Sequence, residues 1–244
     1  MSARITLATA GRVLAQLRHD HRTMALLVAV PCVLMSLLAW VFDGTPMFDR
    51  IGAPLLGVFP FVVMFLVTSV ATLRERTTGT LERLLTMPMG RLDLLLGYAL
   101  AFGLLATLQA AVVTTLSVTA LGLDVAGPVW LLLVVAVLDA LLGMALGLLV
   151  SAFAATEFQA VQFMPAFVLP QFLLCGLLVP RDELDAALRL MSDVLPLSYA
   201  VDAMRAITAS DTVGPDTWGD LGVVCAAIVL ALALGAATLR RRTP

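Results

Sequence analysis

Long apolar runs separated by short polar intervals dominate this chain. Six runs reach the length of about 20 apolar residues that a helix needs to cross a bilayer: 23–42, 51–73, 94–122, 129–151, 159–179 and 219–239. The third is long enough to tilt or to extend past the hydrocarbon. Three intervals carry a helical period of their own. In 4–22, Leu7, Ala10, Val13, Leu14 and Leu17 share one face, with Arg4, Arg12, Arg18 and His19 opposite. That pattern predicts an interfacial helix lying in the headgroup plane. In 74–91, Leu81, Leu84 and Leu85 line one face and Glu82, Arg83 and Thr86 the other, between Gly79, which can cap the helix with Glu82 folding back, and Pro88, which stops it. In 180–217, Leu184, Leu188, Met191 and Leu195 recur at helical spacing. Pro196 is expected to end that helix and Ser198 to cap a second one carrying Ala200, Met204 and Ile207. Both are too short to span and are expected to dip into the outer leaflet or lie on it.

Composition agrees with the pattern. Of the 244 residues, 61% are hydrophobic and 13% charged, with a mean hydropathy of +1.01, where a soluble domain carries about 25% charge. The expected fold is an all-α membrane protein, with residues 1–244 forming one transmembrane domain. No internal repeat or linker divides it, and no small-residue cleavage site marks the first run as part of a signal peptide.

Charge fixes the expected orientation. All 15 basic residues are arginine. Eleven fall in the N-terminal segment, the interval after the second run and the C-terminal tail, against four (Arg50, Arg181, Arg189 and Arg205) on the opposite side. Basic residues stay with the cytoplasmic side, so both termini and the 74–91 segment are expected there, in a plasma membrane. The absence of lysine excludes a P-loop, whose lysine reaches the nucleotide phosphates. Cys32, Cys175 and Cys225 lie far apart in apolar runs and read as small hydrophobes. His19 and His21 flank Asp20 without further metal ligands. No HExxH, GxSxG or Cys–His pattern points to catalysis, and nothing suggests nucleic acid.

The run RERTTGTLERLLTMP after the second span, the run LPLSYAVDAMRAI (195–207) before the last, and the order of interfacial helix, six spans and basic tail resemble the type-2 permeases of ABC transporters, nearest to their drug- and antibiotic-efflux branch. The resemblance implies six transmembrane helices, a cytoplasmic coupling helix and short extracytoplasmic re-entrant helices. It implies separate ABC ATPase subunits that hold ATP and Mg, no cofactor on this chain, and a second permease copy or a paralogue alongside. Glu75, Arg76, Gly79, Thr80, Leu81, Glu82, Leu84 and Leu85 would then form the ATPase contact. The cargo would be an amphipathic or hydrophobic small molecule: a drug, an antibiotic or a lipid.

Within the spans, Asp139 stands near the middle of the fourth, where a carboxylate costs roughly 2.5–3.5 kcal/mol. It reads either as a contact for a polar or cationic substrate or as a structural carboxyl paired with Gln109 or a threonine of the third span. Gln159, Gln162 and Gln171 share the fifth span with Pro165 and Pro170. They read either as pore-lining groups or as partners for backbone freed by the prolines. Gly143 and Gly147 form GxxxG, for packing within one chain or between two. Two other functions fit the same residues: a proton-coupled carrier using Asp139, and a membrane scaffold with no transport path.

Overall fold

The computed structural model describes residues 3–78 and 91–238, and these are helical, with no strand among them. Among the described residues nine α-helices occur in the order α1 (Ala3–His19), α2 (His21–Val41), α3 (Met47–Thr77), α4 (Arg91–Thr119), α5 (Val129–Val150), α6 (Glu157–Leu174), α7 (Ala186–Val194), α8 (Pro196–Ala209) and α9 (Pro215–Thr238), with a 3-10 turn at Arg181–Glu183 before α7. Five of them (α2, α3, α4, α5 and α9) are long and apolar enough to cross a membrane. α6 lies where the fifth of the six runs was expected, but three glutamines, a glutamate and two prolines dilute its apolar character.

α3 is the central post. Its 31 residues rise about 46 Å, against a hydrocarbon core of about 30 Å, so a span on α3 leaves a turn or more projecting. It is buried along most of its length, and its main partner is α5. The reason is glycine. A Cβ on Gly143 would lie 2.1 Å from the Phe61 carbonyl oxygen, and one on Gly147 would lie 2.5 Å from that of Phe65. The GxxxG pair therefore serves close backbone approach inside one chain. Phe61, Phe65, Leu131, Leu132 and Leu142 fill the seam, all essentially without exposure. α2, α6 and α9 surround this pair and keep large apolar residues on their outer faces, among them Val33, Leu37, Phe158, Leu169, Val229 and Leu230.

Three local expectations are corrected. Pro196 begins α8 as its first residue and does not merely end α7, because the ring's fixed φ and missing N–H suit the first helical turn. Ser198 is no cap. It lies inside α8, its hydroxyl 3.0 Å from that of Ser192, which in turn donates to the Leu174 carbonyl at 2.8 Å. The buried face of α1 is also rotated from the expected one. Thr6, Thr9, Ala10, Val13 and Leu17 are buried while Leu7 is 65% exposed. Close approach outweighs hydrophobicity here, since Thr9 sits where a Cβ on Gly97 of α4 would come within 2.6 Å.

The end of the bundle opposite α1 is closed by α8, which packs on α3, α5 and α9, and by Arg181. That guanidinium donates to Asp193 and Asp202 and stacks 5.0 Å from the Tyr199 ring. Burial pushes the Asp202 carboxyl above its usual range, and Arg181 opposes the shift. All three tryptophans (Trp40, Trp130 and Trp218) are exposed near the termini of α2, α5 and α9 at this end, the position favoured by amphipathic rings at a membrane–water boundary.

Candidate functional site

Three consecutive residues in the last turn of α3 hold the other end of the bundle together, each gripping different elements. Glu75, only 7% exposed, takes both Arg12 amines of α1, with Nη1–Oε1 and Nη2–Oε2 each 3.1 Å. This is the two-pronged geometry that arginine alone can give a carboxylate. Tyr98 of α4 completes the node. Its hydroxyl donates to Glu75 Oε2 and accepts from Arg12 Nη2 at 3.1 Å, and its ring lies 5.9 Å below the guanidinium. Arg74 makes a second two-pronged pair with Glu157 at the start of α6, at 2.9 and 3.2 Å. Arg76 donates to the Ser151 carbonyl at 2.9 Å, at the C-terminus of α5, where the helix dipole favours a cation. Asp20 caps α2 nearby, accepting from the Thr23 amide at 3.1 Å and from its hydroxyl at 2.7 Å, which lowers its pKa.

The position of the chain that leaves α3 is thus tied to α1, α4, α5 and α6 at once. The two bidentate pairs are not equivalent. Arg74 and Glu157 are about half exposed, and such pairs contribute about 0.2–1 kcal/mol. Glu75 is buried, so removing its partner leaves an uncompensated charge, at a cost of about 3–5 kcal/mol.

Of the expected ATPase-contact residues, Glu75 and Arg76 are therefore engaged inside the chain, while Gly79, Thr80, Leu81, Glu82, Leu84 and Leu85 lie outside the described residues. The expected path residues do not converge. Asp139 is fully enclosed between α3, α5 and α8, where a Cβ on Gly57 would lie 2.5 Å from its Oδ2 and 2.9 Å from Met204 Cε. Neither of its carboxyl oxygens has a hydrogen-bond partner. The pairing with Gln109 is corrected: that amide reaches the Leu27 carbonyl of α2 at 2.7 Å. Gln171 bonds back to the Phe167 carbonyl, one turn earlier in α6. Gln159 closes a capping arrangement with Thr156 and the Ala155 amide. Gln162 faces outward from α6.

Sequence reasoning missed Arg12 and Tyr98 as partners of Glu75. Tyr98 carried the one available signal, as a hydroxyl near the end of an apolar run, and a buried tyrosine hydroxyl needs a partner.

The model of the ABC-2 type transporter family matches residues 5–208. Among curated relatives, the probable multidrug ABC transporter permease YbhR of Escherichia coli is 28% identical over 167 residues, which cover 68% of this chain and 45% of the relative. YbhS of the same organism, also a probable multidrug ABC transporter permease, is 29% identical over 60% of this chain and 39% of its own length. The linearmycin resistance permease protein LnrN of Bacillus subtilis is 24% identical over 86% of this chain and 55% of its own length. The chain thus spans about half the length of these relatives, yet the family model covers helices α1 through α8 almost completely. This all-helical, multi-pass membrane protein belongs to the ABC-2 type transporter family.

Proposed function

We propose that the chain is the permease subunit of an ATP-driven exporter, working beside a second copy or a paralogue and moving an amphipathic or hydrophobic small molecule out of the cytoplasm. The observation that carries this reading is the Arg74–Glu75–Arg76 anchor. A push on the segment after Thr78 acts on the end of α3, and the anchor passes that push to α1, α4, α5 and α6. A device of this kind suits energy supplied by another polypeptide, because it biases a packed, bistable bundle through one lever. ATP and Mg belong on separate ABC ATPase subunits, and Gly79–Leu85, with Arg76 at its root, is the face they meet. This chain holds no cofactor itself and is not an enzyme. The plasma membrane contains it, with six crossings and both termini cytoplasmic. α6 is the sixth crossing: its 18 residues rise about 27 Å, close to the core thickness. The names of the multidrug and linearmycin-resistance relatives support a drug or antibiotic as cargo, and a lipid shares that amphipathic chemistry.

The experiment is to place Glu82→Lys in the complex reconstituted with its ATPase. The variant is expected to lose ATP-dependent transport and substrate stimulation of hydrolysis while the subunits still assemble. Unchanged transport and stimulation would overturn the assignment.

Asp139, enclosed with both oxygens unpartnered, favours a second reading: a carrier driven by the proton gradient. Transport that stops when the gradient is collapsed, and persists without ATP, would select it.

A further inference from the structure

At the end of the bundle opposite α1, the first turn of α3, the loop between α4 and α5 and the last turns of α8 border an open pocket of about 400 Å3, within the roughly 300–1,000 Å3 of small-molecule sites. Four charged side chains line it: Asp49 and Arg50 of α3, Asp124 of the loop and Arg205 of α8. Two are acidic and two basic, yet among the described residues no ion pair joins any of them. Asp49 accepts from the Asp124 amide at 3.0 Å. Arg205 donates to the Leu177 carbonyl at 3.3 Å and lies in the field of Asp202, which Arg181 already holds. The Arg50 guanidinium and the Asp124 carboxylate make no hydrogen bond to a described residue. Trp40 stands at the end of α2 just before the pocket, and Trp130 at the start of α5 just after Asp124. That places the pocket at the depth of lipid headgroups.

We infer that this pocket binds the zwitterionic headgroup of a phosphoethanolamine lipid, its phosphate at Arg50 and Arg205 and its ammonium at Asp49 and Asp124. Opposite charges that share a pocket without pairing are complemented by a ligand that carries both signs. The helix termini agree with this. α3 begins here and α8 ends here, at Thr208 and Ala209, and the first terminus favours an anion while the second favours a cation. A primary ammonium donates charge-assisted hydrogen bonds to carboxylates. A quaternary one is held by aromatic faces, and no described residue lining the pocket is aromatic. A purely anionic headgroup would meet two carboxylates. The lipid is a resident of the leaflet at the tryptophan end that ties α3, the α4–α5 loop and α8 together, and it is not cargo. The site rests on α3 and α5 crossing the membrane and is independent of ATP-driven export.

The test uses the full chain in detergent micelles with isotope-labelled phosphatidylethanolamine, phosphatidylcholine and phosphatidylglycerol at equal concentration, and counts retained lipids by native mass spectrometry. Phosphatidylethanolamine is expected to bind roughly fivefold more tightly than either of the others, the size of one exposed charge interaction. Asp124→Asn is expected to erase its preference over phosphatidylglycerol, and Arg50→Gln to weaken both of these lipids alike. Both positions are exposed, so the fold tolerates the changes. Arg189→Gln removes another exposed arginine at the same end, on α7, and is expected to leave retention unchanged. Equal retention of the three lipids by the unaltered chain would overturn the proposal, as would a loss in Arg189→Gln that matches the loss in Arg50→Gln. Displacement of the lipid by glycerophosphoethanolamine at equal concentration would also overturn it, because the pocket would then belong to a soluble phosphoethanolamine.

Discussion

At the scale of single residues, the node of Arg12, Glu75 and Tyr98 joins α1, α3 and α4 through one buried carboxylate. Arg12→Ala strands a buried carboxylate, so it is expected to destabilise the chain by about 3 kcal/mol or more, read as lost resistance to thermal aggregation in detergent. Arg12→Lys keeps the charge but only one prong of the pair, and its loss is expected to be intermediate. Equal stability of all three forms would show that the node carries no weight. Gly143 makes a separate prediction. The Phe61 carbonyl is backbone and cannot swing aside, so Gly143→Ala must part α3 from α5, costing about 1–3 kcal/mol for overpacking. The same change at Gly222, which has open space around it, is expected to be silent. Little of this was legible in the sequence. Arg12 falls on the polar face of an amphipathic stretch, and nothing in the local pattern says that its partner lies 63 residues away. Asp139 could be recognised as anomalous from its depth alone, but its neighbours could not, because Gly57 and Met204 leave no polar signal.

Among the helices, hydrophobic period did most of what could be done. The long helices fall on the apolar runs because a run of that length has no other way to satisfy its backbone in lipid. The errors lie where a local rule had two readings. Proline stops one helix and starts the next, and α7 and α8 meet at that point, so Pro196 marks a boundary without saying on which side. Thr6 and Thr9 join Ala10, Val13 and Leu17 on the buried face of α1, Thr9 because Gly97 on α4 admits it, a tertiary fact no period reveals. The pairing of α3 with α6 through Arg74 and Glu157 is likewise tertiary, and it invites a double-mutant cycle. Arg74→Ala and Glu157→Gln are each expected to cost little, with a coupling of about 0.2–1 kcal/mol that fades in high salt. If the pair also holds α6 in place for coupling, either variant should lower transport more than it lowers the melting temperature.

For the molecule as a whole, the arginine asymmetry and the number of crossings depend on one another, and α6 decides both. If α2, α3, α4, α5, α6 and α9 all cross, the loop at Thr45 and the loop at Thr212 lie on the same side, opposite α1. If α6 does not cross, Thr212 falls on the α1 side and the arginine-rich C-terminal tail is carried to the opposite side from the N-terminal segment. The positive-inside tendency opposes that second arrangement, and so does the ring of Trp40, Trp130 and Trp218, which all mark one end. Single cysteines at the exposed positions Ala8, Thr45 and Thr212, in a chain whose native Cys32, Cys175 and Cys225 are replaced by alanine, separate the two cases. A membrane-impermeant maleimide applied to intact cells is expected to label Thr45→Cys and Thr212→Cys at once, and Ala8→Cys only after permeabilisation. Labelling of Thr45→Cys without Thr212→Cys would leave α6 lodged on one side of the membrane. It would also overturn the proposal that Arg74 and Glu157 join two crossing helices at their cytoplasmic ends.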